Sequence, residues 1–439
     1  MAHQSFRSTR CSLVAGGIAL VAASMLTSGI ASAAVPVSGS PVRLTASETK
    51  IPKSAFSDHT GLTPNSVTVA NISTLTAGLF TGSEVGTKAY AAYVNSKGGI
   101  HGRKLVVVGE DDGFSGQKNK QLATVAVQSD FAMVGGFSLE DSFGGKVLAA
   151  NPQMPNVAES LDGGANAVPN SFSPNPAAGG YALGPLVYWK KKHPAAVTHT
   201  GALIADYGAA ETIWNGEKAA MAHEGYKVVY DPTFPTSQTD FTQNVIAMRN
   251  AGVKILFLEQ MPENYAASVF QALKQQDFHP TVVVGASTYS ERLVPDAGGA
   301  SAIDGTYLEQ PTALYLGEDR GSVPAVSTFL DWVQKTSPGF KADYYTLAGW
   351  LSAELFTDAL AKAGAHPSRG SVLLALHDIT NFTGGHLVAT NNPAAKRPPS
   401  CYVLSRVENG HFVRVDDPPV TGPTSGYRCD QGYFYPAAS

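Results

Sequence analysis

The side chains of this sequence whose types and spacing could do chemistry are pairs of acidic residues. The candidate pairs are Asp111 with Asp112, Glu140 with Asp141, and Glu159 with Asp162. Two carboxyl groups that flank a bond can act as general acid and general base, but closeness in sequence does not set their separation in space. Carboxylates that follow a strand often cap the next helix, and we favour this structural role for all three pairs.

The sequence lacks the common patterns of nucleophilic, phosphate-binding and metal-binding sites. A nucleophile elbow has the pattern Gly-x-Ser-x-Gly. Around Ser138 the first glycine is present as Gly136, but Glu140 occupies the position of the second. Neither a Gly-x-x-x-x-Gly-Lys loop nor a Gly-x-Gly-x-x-Gly loop is present, and the spacing of His193 and His199 fits no zinc motif. We therefore expect no catalysis, no metal and no cofactor, and a secreted hydrolase that uses two carboxylates is kept as an alternative.

The composition is typical of a folded protein without a nucleic-acid partner. Of the 439 residues, 44% are hydrophobic and 15% are charged, which is enough apolar side chain for a large core. The 31 Lys and Arg residues against 35 Asp and Glu residues give a net charge of -4. This balance provides no electrostatic reason to bind nucleic acid.

The N-terminus has the layout of a secretory signal peptide. Arg7 and Arg10 precede an apolar run from Leu13 to Ile30, and the small residues Ala31-Ser32-Ala33 follow it. We predict cleavage between Ala33 and Ala34, with an uncleaved membrane anchor as the alternative. The chain is therefore expected to be exported, to the extracellular space or the cell envelope.

Two cysteines, Cys401 and Cys429, remain after cleavage and lie near the C-terminus. In an exported chain they are expected to form a disulfide, and two free thiols are the alternative. Closure of a loop of this length contributes roughly 3 to 4 kcal/mol to stability by the chain-entropy estimate.

From Ser66 onward, short apolar runs alternate with amphipathic segments of helix length, which predicts parallel α/β sheets. The predicted strands are Val67–Ser73, Lys104–Glu110, Phe131–Gly135, Asn156–Ala158, Ala202–Ala205, Lys227–Tyr230, Lys254–Leu258 and Thr281–Val284. The predicted helices between them are Ser83–Ser96, Gln117–Gln128, Ala178–Lys191, Ala209–His223, Thr239–Ala251 and Glu263–Gln275. Two runs of βα units predict two lobes.

After Pro311 the pattern changes to long helices and then to a hairpin that turns at Asn409-Gly410. The resulting division is a signal peptide (1–33), a flexible spacer (34–65), lobe 1 (66–195), lobe 2 (196–311), a segment that returns mainly to lobe 1 (312–390), and a C-terminal hairpin with a disulfide-stapled tail on lobe 2 (391–439).

Several motifs in a fixed order resemble those of one family. The segments are Gly82-Ser83-Glu84, Gly98-Gly99-Ile100-His101-Gly102-Arg103, Asp111-Asp112, Val134–Ser138, Ala205-Asp206-Tyr207-Gly208, Thr239-Asp240-Phe241 and Asp343–Ala348. This set resembles the type I periplasmic binding proteins, specifically the branched-chain amino-acid receptors of ABC importers. The resemblance implies two doubly wound α/β lobes, joined by a three-strand hinge, that close on a ligand.

The resemblance also implies ligand-binding residues at the carboxyl ends of the strands, where helix N-termini could bind an anionic group. The implied residues are Phe137, Ser138, Leu139, Glu140, Ser160, Leu161, Tyr207, Gln260, Met261 and Ser287. Amino-acid receptors of the family carry a carboxylate for the ligand ammonium where this chain has Ser287. This departure argues against a simple α-amino acid ligand unless Glu140 or Asp141 supplies the charge.

The expected function is that of an exported solute-binding protein for an ABC importer, with an amino acid, an amide or an apolar or aromatic acid as ligand. A ligand-sensing module read by a membrane receptor is the alternative from the same fold. The expected partners are the small-molecule ligand and the transporter permease, and we expect a monomer because the lobes must open and close.

Overall fold

The computed structural model describes residues 50–176, 180–206, 208–258, 261–429 and 434–436. The predicted signal peptide and the first part of the predicted spacer lie outside the described residues. Residues 50–65 differ from the spacer prediction, because Ile51 and Ala55 are buried and a 3-10 turn at Lys53–Ser57 packs on the body of the protein.

The first sheet consists of five parallel strands in the order β2-β1-β3-β4-β5. Their bounds are β1 Ser66–Ser73, β2 Lys104–Asp111, β3 Ala132–Val134, β4 Asn156–Val157 and β5 Ser171–Phe172. β-Branched residues are frequent in β1, which is mostly buried, whereas the edge strand β2 leaves Val106 and Val108 exposed. The order changes direction between β1 and β3, and at such a point the loops diverge and leave a crevice.

Thirteen helices are described, and four of them follow the strands of the first sheet: α1 Thr81–Ser96, α2 Gly116–Ser129, α3 Asp141–Ala150 and α4 Gly163–Ala167. Helices α1 and α2 agree with the predicted segments to within two residues. Helices α3 and α4 were not predicted, because they are short and rich in glycine and alanine, which weakens a helical hydrophobic period.

The second sheet repeats this strand order and adds an antiparallel edge. Its order is β15-β14-β13-β12-β11-β7-β9, and β9-β7-β11-β12-β13 corresponds to β2-β1-β3-β4-β5 of the first sheet. The bounds of the remaining strands are β6 Gly180–Ala182, β7 Thr200–Ala202, β8 Ile204–Ala205, β9 Val228–Tyr230, β10 Thr233–Phe234, β11 Ile255–Leu258, β12 Thr281–Val284, β13 Tyr307–Gln310, β14 Val403–Glu408, β15 His411–Arg414 and β16 Phe434–Pro436. Strand β13 was not predicted.

The remaining helices divide between the two sheets. Their bounds are α5 Leu183–Lys192, α6 Gly208–His223, α7 Thr242–Asn250, α8 Glu263–Gln275, α9 Leu293–Asp296, α10 Ala300–Ile303, α11 Pro324–Thr336, α12 Tyr344–Lys362 and α13 Arg369–His377. Helix α5 packs on the second sheet, where Trp189 contacts the ring of Tyr307, so the chain crosses over before this helix although the predicted lobe 1 extends to residue 195. Helices α11 and α12 pack against α1 of the first lobe.

Three chain segments cross between the sheets and hydrogen-bond to one another. Asn391 donates its side-chain N–H to the carbonyl of Pro174 at 2.8 Å, and Ala389 donates its backbone N–H to Pro311 at 2.7 Å. These bonds join the three crossings, which follow β5, β13 and α13, into the hinge that the family resemblance implies. The fold is therefore α/β with two doubly wound lobes.

The C-terminal segment is fastened to the second lobe. The hairpin β14–β15 turns at Asn409 and Gly410, both with positive φ (53° and 81°), as this turn type requires. The predicted disulfide between Cys401 and Cys429 is present. Strand β16 pairs antiparallel with β6, which places this tail next to the crossover. Among the helices of the described ranges, none is long and apolar enough to span a bilayer.

Candidate ligand-binding site

A cavity of about 630 Å³ lies where the carboxyl ends of both parallel sheets meet. The loops after β1, β3 and β4 contribute Phe80, Phe137, Leu139, Ser160 and Leu161. The loops after β8, β10, β11 and β12 contribute Asp206, Thr236, Pro262 and Ser287. Since both lobes line one cavity of a size usual for organic ligands, this is the candidate site.

The first-lobe wall of the cavity is aromatic. The rings of Phe80, Phe137 and Tyr345 contact one another in pairs, with centroids 4.7 to 4.9 Å apart and tilted planes. Tyr344 extends this cluster, with its ring centroid 5.9 Å from that of Tyr345. Such tilted contacts fix the rings and provide a rigid apolar surface.

Glu159, directly after β4, is a buried carboxyl in this wall. Its side chain is 6% exposed, and its Oε2 accepts a hydrogen bond from the Tyr344 hydroxyl at 2.5 Å. The Asn175 side-chain amide donates to the Tyr344 oxygen at 2.9 Å, which completes a chain from amide to hydroxyl to carboxyl. Burial raises the pKa of Glu159 to about 8, although the Tyr344 hydrogen bond acts in the opposite direction.

Two further polar side chains line the cavity from the hinge region. Gln310, at the end of β13, donates its Nε2 to the carbonyl of Ala313 at 3.0 Å. Its neighbour Glu309 accepts from the indole N–H of Trp189 at 2.5 Å. Both residues are held by protein contacts, so their positions in the cavity wall are fixed before any ligand arrives.

The predicted site residues are only partly brought together. Phe137, Leu139, Ser160, Leu161 and Ser287 line the cavity. Ser138, Glu140 and Met261 do not line it. Tyr207 and Gln260 lie outside the described residues.

Ser138 supports the loop after β3 from behind. Its hydroxyl donates to Asp112 and accepts from the Asn119 amide at 3.1 Å and from the backbone N–H of Glu140 at 2.9 Å. It borders a second cavity of about 50 Å³, which also contacts Glu159. The hydroxyl predicted to meet a ligand is therefore occupied within the first lobe.

Met261 is fully buried in the hydrophobic core and meets the site only through its backbone. Its carbonyl accepts hydrogen bonds from the hydroxyls of Ser287 at 3.2 Å and Thr288 at 2.7 Å. Met261 thus positions the loop after β12 and does not present its side chain to the cavity.

The acidic pairs mostly hold loops and caps, as favoured from the sequence. Asp111 accepts from the Thr76 hydroxyl and from the backbone N–H groups of Gly113, Leu75 and Thr76, and these bonds outweigh desolvation and hold its pKa down at about 2. Asp162 is the N-cap of α4 and accepts from the N–H of Ala165 at 2.8 Å. Glu159 is the exception, because it faces a cavity.

Sequence reasoning missed Asn175, Gln310, Tyr344 and Tyr345 as cavity residues. Tyr344 and Tyr345 belong to the motif Asp343–Ala348 that carried the resemblance, and α12 begins there behind a capping box between Asp343 and Thr346. That motif was the available signal for the two tyrosines. Within the described part of the chain, no group of His, Cys, Asp and Glu side chains is arranged to hold a metal ion.

Comparison with known proteins agrees with this geometry. Residues 67–411 match the family described as periplasmic binding protein. The Leu/Ile/Val-binding protein homolog 7 of Brucella abortus is 20% identical over 287 residues, which cover 61% of this chain and 69% of that relative.

Two solved structures share the fold. A fatty acid ABC transporter substrate-binding protein from Thermomonospora curvata has a TM-score of 0.67 at 17% identity and covers 82% of this chain and 93% of its own. An ABC transporter solute binding protein from R. palustris, in complex with benzoate, has a TM-score of 0.65 at 15% identity. The match covers 80% of this chain and 96% of that protein. The chain therefore belongs to the periplasmic binding protein family, and its resemblance to the type I, branched-chain amino-acid receptors is confirmed.

Proposed function

We propose that this protein is exported, captures a small organic ligand between its two lobes and delivers it to an ABC importer. The observation that carries the proposal is the cavity of about 630 Å³ lined by both lobes beside a hydrogen-bonded hinge. The similar proteins support it, since they include a Leu/Ile/Val-binding protein homolog, a fatty acid ABC transporter substrate-binding protein and a solute binding protein in complex with benzoate.

The cavity favours a ligand larger or more aromatic than a branched-chain amino acid. Phe80, Phe137, Tyr344 and Tyr345 form a continuous aromatic surface, which suits a planar or extended apolar body. The protein is proposed to bind this ligand without chemical change, to act as a monomer and to dock on a permease when closed. Export is supported by the layout of residues 1–33.

Thermal unfolding of the purified protein with a ligand panel tests solute capture. The panel contains branched-chain amino acids, aromatic acids, amides, amines, ureas and short sugars, and native mass spectrometry checks for a ligand that co-purifies. A ligand at one hundred times its Kd adds about 2.7 kcal/mol to the free energy of unfolding. Folded protein that gives no shift with the whole panel and no co-purified ligand would count against solute capture.

A pair of tryptophan variants locates the binding. Ala286 lines the cavity at the start of the loop after β12, so Ala286→Trp fills the space and should abolish the thermal shift. Ala150 is exposed at the end of α3, so Ala150→Trp adds the same bulk elsewhere and should leave the shift unchanged. Equal shifts in both variants would place the ligand outside this cavity.

A further inference from the structure

Four backbone N–H groups in the first-lobe loops at the cavity are already bonded to side chains of the same lobe. The pairs are Phe137 N–H to Ser73 Oγ (3.1 Å), Leu139 N–H to Thr74 Oγ1 (3.2 Å), Glu140 N–H to Ser138 Oγ (2.9 Å), and Leu161 N–H to Asp141 Oδ2 (2.6 Å). Loops before helix N-termini commonly bind anionic ligands through such groups. Here the Asp141 carboxylate takes the place of a ligand carboxylate.

Three residues of the cavity wall instead carry buried acceptor oxygens that have no described donor. Glu159 Oε1, Asn175 Oδ1 and Gln310 Oε1 have no hydrogen-bond partner within the described ranges, and their residues are 6%, 4% and 2% exposed. The bonds of Asn175 to Tyr344 and of Gln310 to Ala313 fix each amide with its oxygen unpaired. A buried acceptor without a donor costs free energy that a ligand donor would recover.

The described cavity lining contains acidic side chains and no basic ones. It includes the carboxyl side chains of Glu159, Asp206 and Glu309 and no Lys, Arg or His. The neighbouring rings of Phe80, Tyr344 and Tyr345 present faces that attract cations. This described lining provides no cationic partner for an anionic ligand, whereas an ammonium group could pair with a carboxylate and lie on the ring faces.

We infer that the cavity recognises an apolar organic amine, whose ammonium group donates to Glu159 and whose body packs on the aromatic wall. Asn175 and Gln310 accept further donors of the same ligand. The inference rests on the proposed function and names the ligand class for it. An ammonium ion in contact with Glu159 lowers the pKa of that carboxyl again, because an opposite charge favours the ionised form.

Calorimetric titration with three compounds that share one body and differ in the head group tests the inference. The probes are phenethylamine, 3-phenylpropanamide and 3-phenylpropionate. We expect phenethylamine to bind at least about tenfold more tightly than 3-phenylpropionate, since only the amine pairs with the carboxyl.

Matched variants test the assignment of Glu159. Glu159→Gln should raise the Kd of phenethylamine by about 10- to 100-fold and change that of 3-phenylpropanamide by less than about threefold. Glu140→Gln, at a carboxyl that does not line the cavity, should leave both values within about threefold. If Glu159→Gln fails to fold, Tyr344→Phe removes the hydroxyl that orients Glu159 and should weaken amine binding by about tenfold.

The outcomes separate this inference from the proposed function. Tight binding of 3-phenylpropionate without binding of phenethylamine would overturn the amine class while it supports solute capture. Amine binding that Glu159→Gln leaves unchanged would overturn the role of Glu159. If none of the three probes binds, the inference is overturned. The wider ligand panel then decides whether solute capture fails as well.

Discussion

Glu159 is a carboxyl group that the fold removes from water without giving it a cation. Its one described hydrogen bond, from Tyr344, favours the ionised form, but desolvation is larger and raises the pKa from 4.5 to about 8. Perturbed carboxyls in cavities are typical of functional sites, because a structural role would be filled better by an apolar side chain or an amide.

We predict that Glu159→Gln removes part of the pH dependence of stability. A carboxyl whose folded-state pKa exceeds its unfolded-state value contributes stability below the unfolded-state pKa and loses it as pH rises through the folded-state pKa. For Glu159 this window runs from about 4.5 to about 8. The free energy of unfolding of the variant, relative to the native protein, should therefore rise by on the order of 5 kcal/mol across the window.

Urea unfolding of both proteins at several pH values measures this difference. Asp141, whose pKa burial raises to about 7, contributes equally to both proteins and cancels. Glu140→Gln, at a carboxyl that does not line the cavity, serves as the matched control. If the difference in free energy of unfolding between Glu159→Gln and the native protein did not change with pH, Glu159 would ionise in the folded protein near its ordinary pKa.

At the scale of elements, the late helix α12 packs on α1 through two glycines. A Cβ atom at Gly86 would lie 1.8 Å from the carbonyl oxygen of Thr346, and one at Gly349 would lie 2.0 Å from that of Ser83. Both clashes are with backbone atoms, so no rotamer change relieves them. This close approach sets the position of Tyr344 and Tyr345 at the start of α12, beside the cavity.

We predict that Gly349→Ala lowers the free energy of unfolding by about 2 to 3 kcal/mol, because the added methyl group forces the two helices apart. Gly216→Ala is the matched control, since Gly216 lies inside α6 with nothing within 4 Å of an added Cβ. That control should gain about 0.5 to 1 kcal/mol from helix propensity. If both substitutions changed the free energy of unfolding in the same direction, the packing argument would be contradicted.

Helix α13 is tied to the first sheet by a buried arginine. Arg369 is 1% exposed and donates to the carbonyls of Phe131 at 3.1 Å and Val127 at 2.9 Å, and to the Asp58 carboxylate at 2.9 Å. It thereby joins three segments that are distant in sequence, including the region predicted as a spacer.

We predict that Arg369→Met lowers the free energy of unfolding by about 3 kcal/mol, since it leaves Asp58 and the carbonyls without their donor. Arg103→Met provides the comparison, because Arg103 also donates to two backbone carbonyls but at an exposed position. Arg103→Met should lower the free energy of unfolding by about 1 kcal/mol or less. Chemical denaturation measures both, and losses of similar size would show that burial does not decide the effect.

At the scale of the whole molecule, two sheets of the same strand order face one cavity and are joined by three crossings. The crossings bond to one another through Asn391 and Ala389, while the loops around the cavity belong to separate lobes. This arrangement permits rotation at the hinge without loss of either core, because each lobe keeps its own sheet and helices.

We predict that saturating ligand reduces the radius of gyration measured by small-angle X-ray scattering. The ligand contacts both lobes only when they are closed, so binding shifts the population toward the closed form. Ala286→Trp with the same compound should show no change. Identical radii for the native protein with and without ligand would argue against closure.

The sequence by itself determined the α/β class, much of the βα order, the hairpin, the disulfide and the family, because strand and helix periods, Asn-Gly turns and glycine-bounded motifs are local signals. It also placed Phe137 and Ser287 in loops that do line the cavity. Only the tertiary structure decided that Ser138 and Met261 turn away from the cavity, that Glu159 faces it and that Tyr344 and Gln310 join it. These outcomes depend on which hydrogen-bond donors and acceptors from distant segments pair with one another. Such pairings produce no repeating pattern in the amino-acid sequence.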